Sequence, residues 1–318
     1  MVKGVSLSLA IAVSALLLSN VLGFNAILLA LVFGIVLGNA FKLPEYFNLG
    51  IKTASGIFLE VAIILMAFSM DYGSFLKLGW ETIIIVIVTI SAVLLMTLWL
   101  GKKMNCPSSA GLLVGFGTAI CGSAAIAALA PSVSKDKSDI GISMAVVNLY
   151  GLLGMILIPF ITQDWLSDIQ NSILLGASLH SVGNVAGAGF AMNDAIGEMA
   201  VTVKLGRVAL LTPALLIFGH FTAKKSASHT TNKLNLPWYL VTFIVISILV
   251  SIFPFPEEIL SYSKKGSNFL LATAMAAIGL KVSFKTLLNS GKKGLVFGAI
   301  LFVVQLAVIG LLIWVLGV

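Results

Sequence analysis

The 318-residue chain carries 19 Lys and Arg against 12 Asp and Glu, so only 10% of it is charged, while 59% is built from AVILMFWYC. Soluble domains run near ~25% charged, and at a mean hydropathy of +1.11 this chain holds more apolar surface than a water-soluble fold of its size can hide. A cytosolic enzyme, a disulfide-built secreted domain and a disordered tail are excluded, and the two cysteines, Cys106 and Cys121, make no disulfide framework. What is left is a chain that lives in a lipid bilayer.

At about 20 residues per membrane-spanning helix, the length allows roughly ten or eleven spans and no separate soluble domain. In chain order the apolar runs predict helices at 5–19, 24–41, 53–70, 80–100, 108–130, 139–160, 170–191, 198–222, 237–253, 267–281 and 294–317. The first run reads as a retained helix rather than a signal peptide, because a second apolar run follows almost at once with no cleavage site between them. The expected fold is an all-α polytopic membrane protein of about 10–11 transmembrane helices, one transporter domain over residues 1–318.

Alternating these spans places Lys3, Lys42, Lys52, Lys102, Lys103, Lys224, Lys225, Lys233, Lys281, Lys285, Lys292 and Lys293 on one side. Lys77, Lys135, Lys137, Lys264 and Lys265 fall on the other, and Lys204 and Arg207 lie within a span. The excess of Lys on the first side puts the N-terminus in the cytoplasm and Val318 outside, in a cell inner (plasma) membrane. The same distribution accounts for the net charge of +7, so no nucleic-acid partner is called for. A faint internal echo joins the run Leu65–Asp71 to Ala276–Lys281: each is a small-residue helix end followed by a polar turn, an apolar stretch and a glycine, Gly79 or Gly291. Such an echo fits the inverted repeats of many secondary transporters.

A charge in hydrocarbon costs at least ~2.5–3.5 kcal/mol on insertion scales, so each one in a span asks for an account. The predicted spans hold Glu60, His180, Lys204 and Arg207, with Asp71, Glu81, Glu198 and Lys281 at span ends. Lys204 and Arg207 share a helix face at i, i+3. Counted from Glu198 at ~1.5 Å per residue they lie about 9 and 13–14 Å deep. Snorkelling serves Lys204 tolerably and Arg207 poorly. One acid, Glu60, cannot neutralise both bases, so the pair reads as a fixed positive site for an anion, a planar donor fork beside a point charge.

Two glycine-rich stretches supply the other candidates. Residues Gly176–Gly189 carry Ser178, His180, Ser181 and Asn184 among four glycines, and His180 and Asn184 share a face if the backbone stays helical. Glycine at this density serves close packing or a broken helix whose freed backbone binds solute. In Gly115–Ala125 a break near Cys121-Gly122 would free the backbone N–H groups of Gly122, Ser123 and Ala124 as an anion cradle at a helix N-terminus. A tightly packed small-residue helix accounts for the same residues. A dinucleotide loop does not fit, because no strand precedes the glycines.

These stretches, Gly117–Ala128 and Gly176–Pro213, together with Asn268–Lys281, resemble the YeiH-like membrane proteins, a family named for sulfate export, and weaker similarity covers most of the chain. That family is grouped with the bile-acid symporter and sodium–proton antiporter fold. The resemblance implies inverted repeats, interleaved core and panel subdomains, and broken, crossing helices. Where the family often has an acidic residue after the histidine, and Gln or His further on, this chain has Ser181 and Asn184.

The reading that follows is a secondary active transporter, not an enzyme, that moves a small anion by alternating access, with sulfate, sulfite or an organosulfonate leading. Lys204 and Arg207 would neutralise the substrate, Cys121, Gly122 and Ser123 would cradle it, and His180 with Asn184 would orient it. No cofactor is expected beyond a coupling ion, H⁺ through His180 or Glu60, or Na⁺ through Ser, Asn and backbone oxygens. The expected partners are the small anion and the bilayer, with a homodimer left open. The rivals are a coupled carboxylate transporter, an anion channel, and an intramembrane hydrolase using His180 and Ser181. The last is disfavoured because adjacent residues on a helix point about 100° apart.

Overall fold

In lipid every backbone donor and acceptor needs an internal partner, which a helix supplies within its own segment, and every regular element among the described residues is helical. The computed structural model describes the chain except residues 23–25, 42, 70–77, 105–107, 134–136, 212, 216, 218–237, 254 and 283–291. Asp71, Cys106, Gly291 and the topology lysines Lys42, Lys77, Lys135, Lys224, Lys225, Lys233 and Lys285 lie outside the described residues.

The α-helices in chain order are α1 Val2–Leu22, α2 Ala26–Ala40, α3 Asn48–Thr53, α4 Leu59–Met66, α5 Gly79–Lys103, α6 Ser108–Ala119, α7 Ser123–Val133, α8 Lys137–Thr162, α9 Asp168–Ser178, α10 Val182–Met192, α11 Asp194–Ala209, α12 Trp238–Ile252, α13 Glu257–Lys281 and α14 Lys292–Leu316. A π-helical stretch, Ala54–Phe58, joins α3 to α4. Five stretches among the described residues are long and apolar enough to cross a membrane: Val2–Ser19, Glu45–Met66, Gly79–Lys103, Asp139–Thr162 and Lys293–Leu316. The eleven expected spans are recovered as helix over nearly all their described residues, with three differences. The fifth and seventh are each broken in two, α13 begins ten residues before the predicted 267, and α11 begins at Asp194 rather than 198. Charge explains the missed starts: Glu257, Glu258 and Asp194 are acids in opening turns, where they suit the helix dipole and fail a hydropathy test.

The chain forms two compact units interleaved in sequence. The first comprises Met1–Ser74, Ala186–Glu198 and Pro237–Phe284. Its core is the pair α2 and α13. A methyl group on Gly34 would lie 2.3 Å from the Ala276 carbonyl oxygen, and one on Gly279 2.4 Å from that of Leu31, so the two backbones touch where both helices offer glycine. Lipid gives helices no hydrophobic reason to associate, and close backbone approach through small residues takes its place. Ser267 donates to the Ala62 carbonyl at 2.8 Å, tying α13 to α4. Lys264 on α13 pairs with Asp194 at 3.0 Å and Glu198 at 3.7 Å, and its hydrogen bond to Asp194 raises its pKa above the usual lysine value.

The second unit comprises Phe75–Val185, Met199–Leu236 and Lys285–Val318. Tyr150 on α8 donates to the Leu295 carbonyl at 2.8 Å, fixing α8 to α14. Buried Thr97 on α5 fills the space over Gly115 of α6. Within this unit lie both helix breaks, after Ala119 and after Ser178.

Candidate functional site: the junction of two broken helices

α6 stops because Gly122 takes φ +73°, a backbone that costs an L side chain about 1–2 kcal/mol. Its N–H donates five residues back to the Gly117 carbonyl at 2.9 Å, so this group is not free for a ligand, contrary to expectation. α7 restarts at Ser123, with the Ile126 N–H returning to the Gly122 carbonyl at 3.1 Å. α9 opens on a capping box of Ser167 and Gln170 and ends where Leu179 turns extended, at φ −65° and ψ 147°. α10 begins after Ser181, whose hydroxyl accepts the Asn184 N–H at 3.1 Å. The breaks meet: a methyl on Gly122 would lie 3.3 Å from the His180 carbonyl oxygen.

A helix C-terminus leaves four carbonyls without intrahelical partners, and in a membrane water is not there to take them. Here Lys204 and Arg207, both wholly buried on α11, supply the donors. Lys204 Nζ donates to the carbonyls of Ile120 at 2.7 Å and Leu179 at 2.6 Å. Arg207 donates through Nε to Ala119 at 2.7 Å and through one terminal nitrogen to Ala177 at 2.7 Å and Leu179 at 3.3 Å. Its other terminal nitrogen donates to the Thr118 carbonyl. Gln305 on α14, also wholly buried, adds a donor to Ala177 at 3.1 Å. The two cations thus cap the ends of α6 and α9 and join them.

Sequence reasoning set this pair against Glu60 and against snorkelling. The structure shows neither arrangement. α11 begins at Asp194, after Asn193, whose side-chain oxygen accepts the Ile196 N–H at 2.8 Å. That start puts Lys204 and Arg207 about 15 and 20 Å along the axis, too far for snorkelling. Glu60, half-buried in the first unit, accepts the Trp238 indole N–H at 2.7 Å. Sequence inspection confined to charged side chains passed over Gln305, although a lone amide in the run Leu301–Gly310 was visible there.

A helix end carries roughly half a charge, negative at the C-terminus and positive at the N-terminus. The ends of α6 and α9 offset about one of the two charges on Lys204 and Arg207, and the starts of α7 and α10 return about one. With both side chains protonated, the junction is positive by roughly two charges. Among the described residues no ion pair engages either cation.

His180 lies in the second break rather than on a continuous helix, so the shared face expected with Asn184 is lost, yet both side chains approach Gly151 on α8. The imidazole is 2% exposed, neither ring nitrogen has a hydrogen-bond partner among the described residues, and the Phe302 ring lies 5.4 Å away. Ser123 donates to the Asn148 side-chain oxygen at 3.0 Å. Cys121 is a buried free thiol in the first break. Ser181 serves as the α10 cap and makes no bond to His180, which removes the geometry a Ser–His hydrolase needs.

The family profile described as conserved hypothetical protein 698 matches residues 3–298. The chain belongs to that family. Among the conserved hypothetical protein 698 relatives is the UPF0324 inner membrane protein YeiH of Escherichia coli K12, 31% identical over 289 residues, which cover 88% of this chain and 82% of the relative. A UPF0324 membrane protein of Wolinella succinogenes is 33% identical over 290 residues, 90% of this chain and 87% of its own. The solved sodium proton antiporter MjNhaP1 of Methanocaldococcus jannaschii aligns with 95% of this chain and 98% of its own at 16% identity and a TM-score of 0.30, too distant a likeness to carry weight. Membership of a family named for membrane proteins agrees with the composition, and the chain is a multi-pass membrane protein.

Proposed function

We propose that this chain is a secondary transporter that moves a small anion by alternating access, with sulfate, sulfite or an organosulfonate as the substrate class. One observation carries the reading: a buried junction, positive by about two charges, holds an imidazole whose two nitrogens have no protein partner. An oxyanion suits such a place. In this reading the first-turn N–H groups of α7 and α10, at Ser123, Ala124, Val182 and Gly183, would bind it together with the Ser123 hydroxyl, His180 and Asn184. Lys204 and Arg207 act through the field they set up, while their donors hold the two half-helices together. Proton coupling runs through His180, whose imidazole can take up or release a proton at the junction. The N-terminus faces the cytoplasm and Val318 the outside, so alkaline phosphatase fused after Val318 should be active.

The test is thermal unfolding of the detergent-solubilised protein with sulfate, sulfite, thiosulfate, taurine, phosphate and small carboxylates, at two pH values, with and without sodium. A ligand that binds only the folded state adds roughly 2.7 kcal/mol at a hundred times its Kd. A sulfur oxyanion should stabilise the wild type and lose most of its effect in His180→Gln and Ser123→Ala. Stabilisation by a carboxylate alone would move the assignment to organic anions, and no shift with any anion would refute the site.

A further inference from the structure

Gly151 belongs to α8 and is buried at the point where His180 and Asn184 come together. A methyl group there would lie 2.3 Å from Asn184 Nδ2 and 3.3 Å from both Nδ1 and Cβ of His180. The amide therefore occupies the notch where residue 151 has no side chain, beside an imidazole nitrogen that no protein group engages. Asn184 is free to take this seat because its own backbone N–H is fixed elsewhere, on the Ser181 hydroxyl. The Phe302 ring lies 5.4 Å from the imidazole, and the His180 carbonyl and Cβ face Gly122 in the first break.

We infer that Gly151 is a positioning residue that seats the Asn184 amide next to His180, so that both present N–H donors to one oxyanion. The inference rests on the anion site proposed above. Two hydrogen-bonding groups on one helical break do not converge by sequence spacing alone; the neighbouring helix has to leave room for one of them. Any residue with a Cβ at 151 pushes the amide out of the notch. The cost falls on the ligand-free fold, where the amide is forced from its notch although alanine is the better helix former, and again on ligand affinity, where its donor is lost.

The experiment is a double-mutant cycle of Gly151→Ala and Asn184→Ala, read first without ligand and then with sodium sulfate. Without ligand, Gly151→Ala should lower the unfolding temperature in the wild-type background and raise it in the Asn184→Ala background, where the notch is empty. With sulfate, Gly151→Ala should weaken binding by about tenfold, the order of one hydrogen bond to a charged group, and the double variant should bind no worse than Asn184→Ala. Equal effects of Gly151→Ala in both backgrounds, or wild-type sulfate affinity in Gly151→Ala, would overturn the inference while leaving the anion site standing. Coupling in the ligand-free cycle with no response of the wild type to sulfate or to any other anion of the panel would instead overturn the anion site, and with it the role given to Gly151.

Discussion

Replacing Arg207 by methionine removes the charge and keeps most of the volume, which isolates what the guanidinium does. Four carbonyls lose a donor: Thr118, Ala119, Ala177 and Leu179. Ala177 keeps Gln305, and Leu179 keeps Lys204. Ala119 keeps none of its recorded side-chain donors. An orphaned buried acceptor costs about 1–3 kcal/mol, and loss of a cation from a partly buried helix C-terminus up to ~2 kcal/mol. Two helix ends are affected, so Arg207→Met should cost about 3–6 kcal/mol. Arg207→Lys should recover only part of that, because an ammonium offers three donors from one point where the guanidinium fork serves four carbonyls. Equilibrium unfolding in mixed micelles, without ligand, measures both variants. If Arg207→Met unfolds within about 1 kcal/mol of the wild type, the guanidinium is not holding the helix ends, and its donors are reserved for a ligand.

Four other outcomes follow from the same structure. Gly122→Ala should cost about 1–2 kcal/mol for the left-handed backbone alone, measured in the same micelles; a neutral result would mean the break is not fixed by Gly122. Gly279→Val should cost more than about 3 kcal/mol, since its branches would enter the backbone of α2 at Leu31 and Gly34, and a folded, unshifted protein would contradict that close approach. Gln305→Leu should be nearly neutral, within about 1 kcal/mol, because Arg207 still serves Ala177 and the unpartnered Gln305 oxygen is removed from the interior; a large loss would make Gln305 a cap of equal weight. In proteoliposomes His180→Gln should flatten the pH dependence of anion flux while Glu60→Gln, which keeps an acceptor for Trp238, should not, and the reverse pattern would transfer coupling to Glu60.

Much of this protein is written in its sequence. The apolar runs are long enough to span a bilayer and few enough in charge to stay there, so helix, number and membrane setting follow from composition and the need to satisfy backbone groups in lipid. The break at Cys121-Gly122 was legible too, because glycine is the residue that enters the left-handed region cheaply. Sequence could also mark Lys204 and Arg207 as exceptional, since charge in hydrocarbon demands an explanation. It could not say what meets them. Their partners are main-chain carbonyls of Thr118–Ile120 and Ala177–Leu179, and a carbonyl is present at every residue, so no residue type advertises it. Only the tertiary meeting of two broken helices creates the unpaired carbonyls, turns the two bases into caps, and leaves His180 between them without a protein partner.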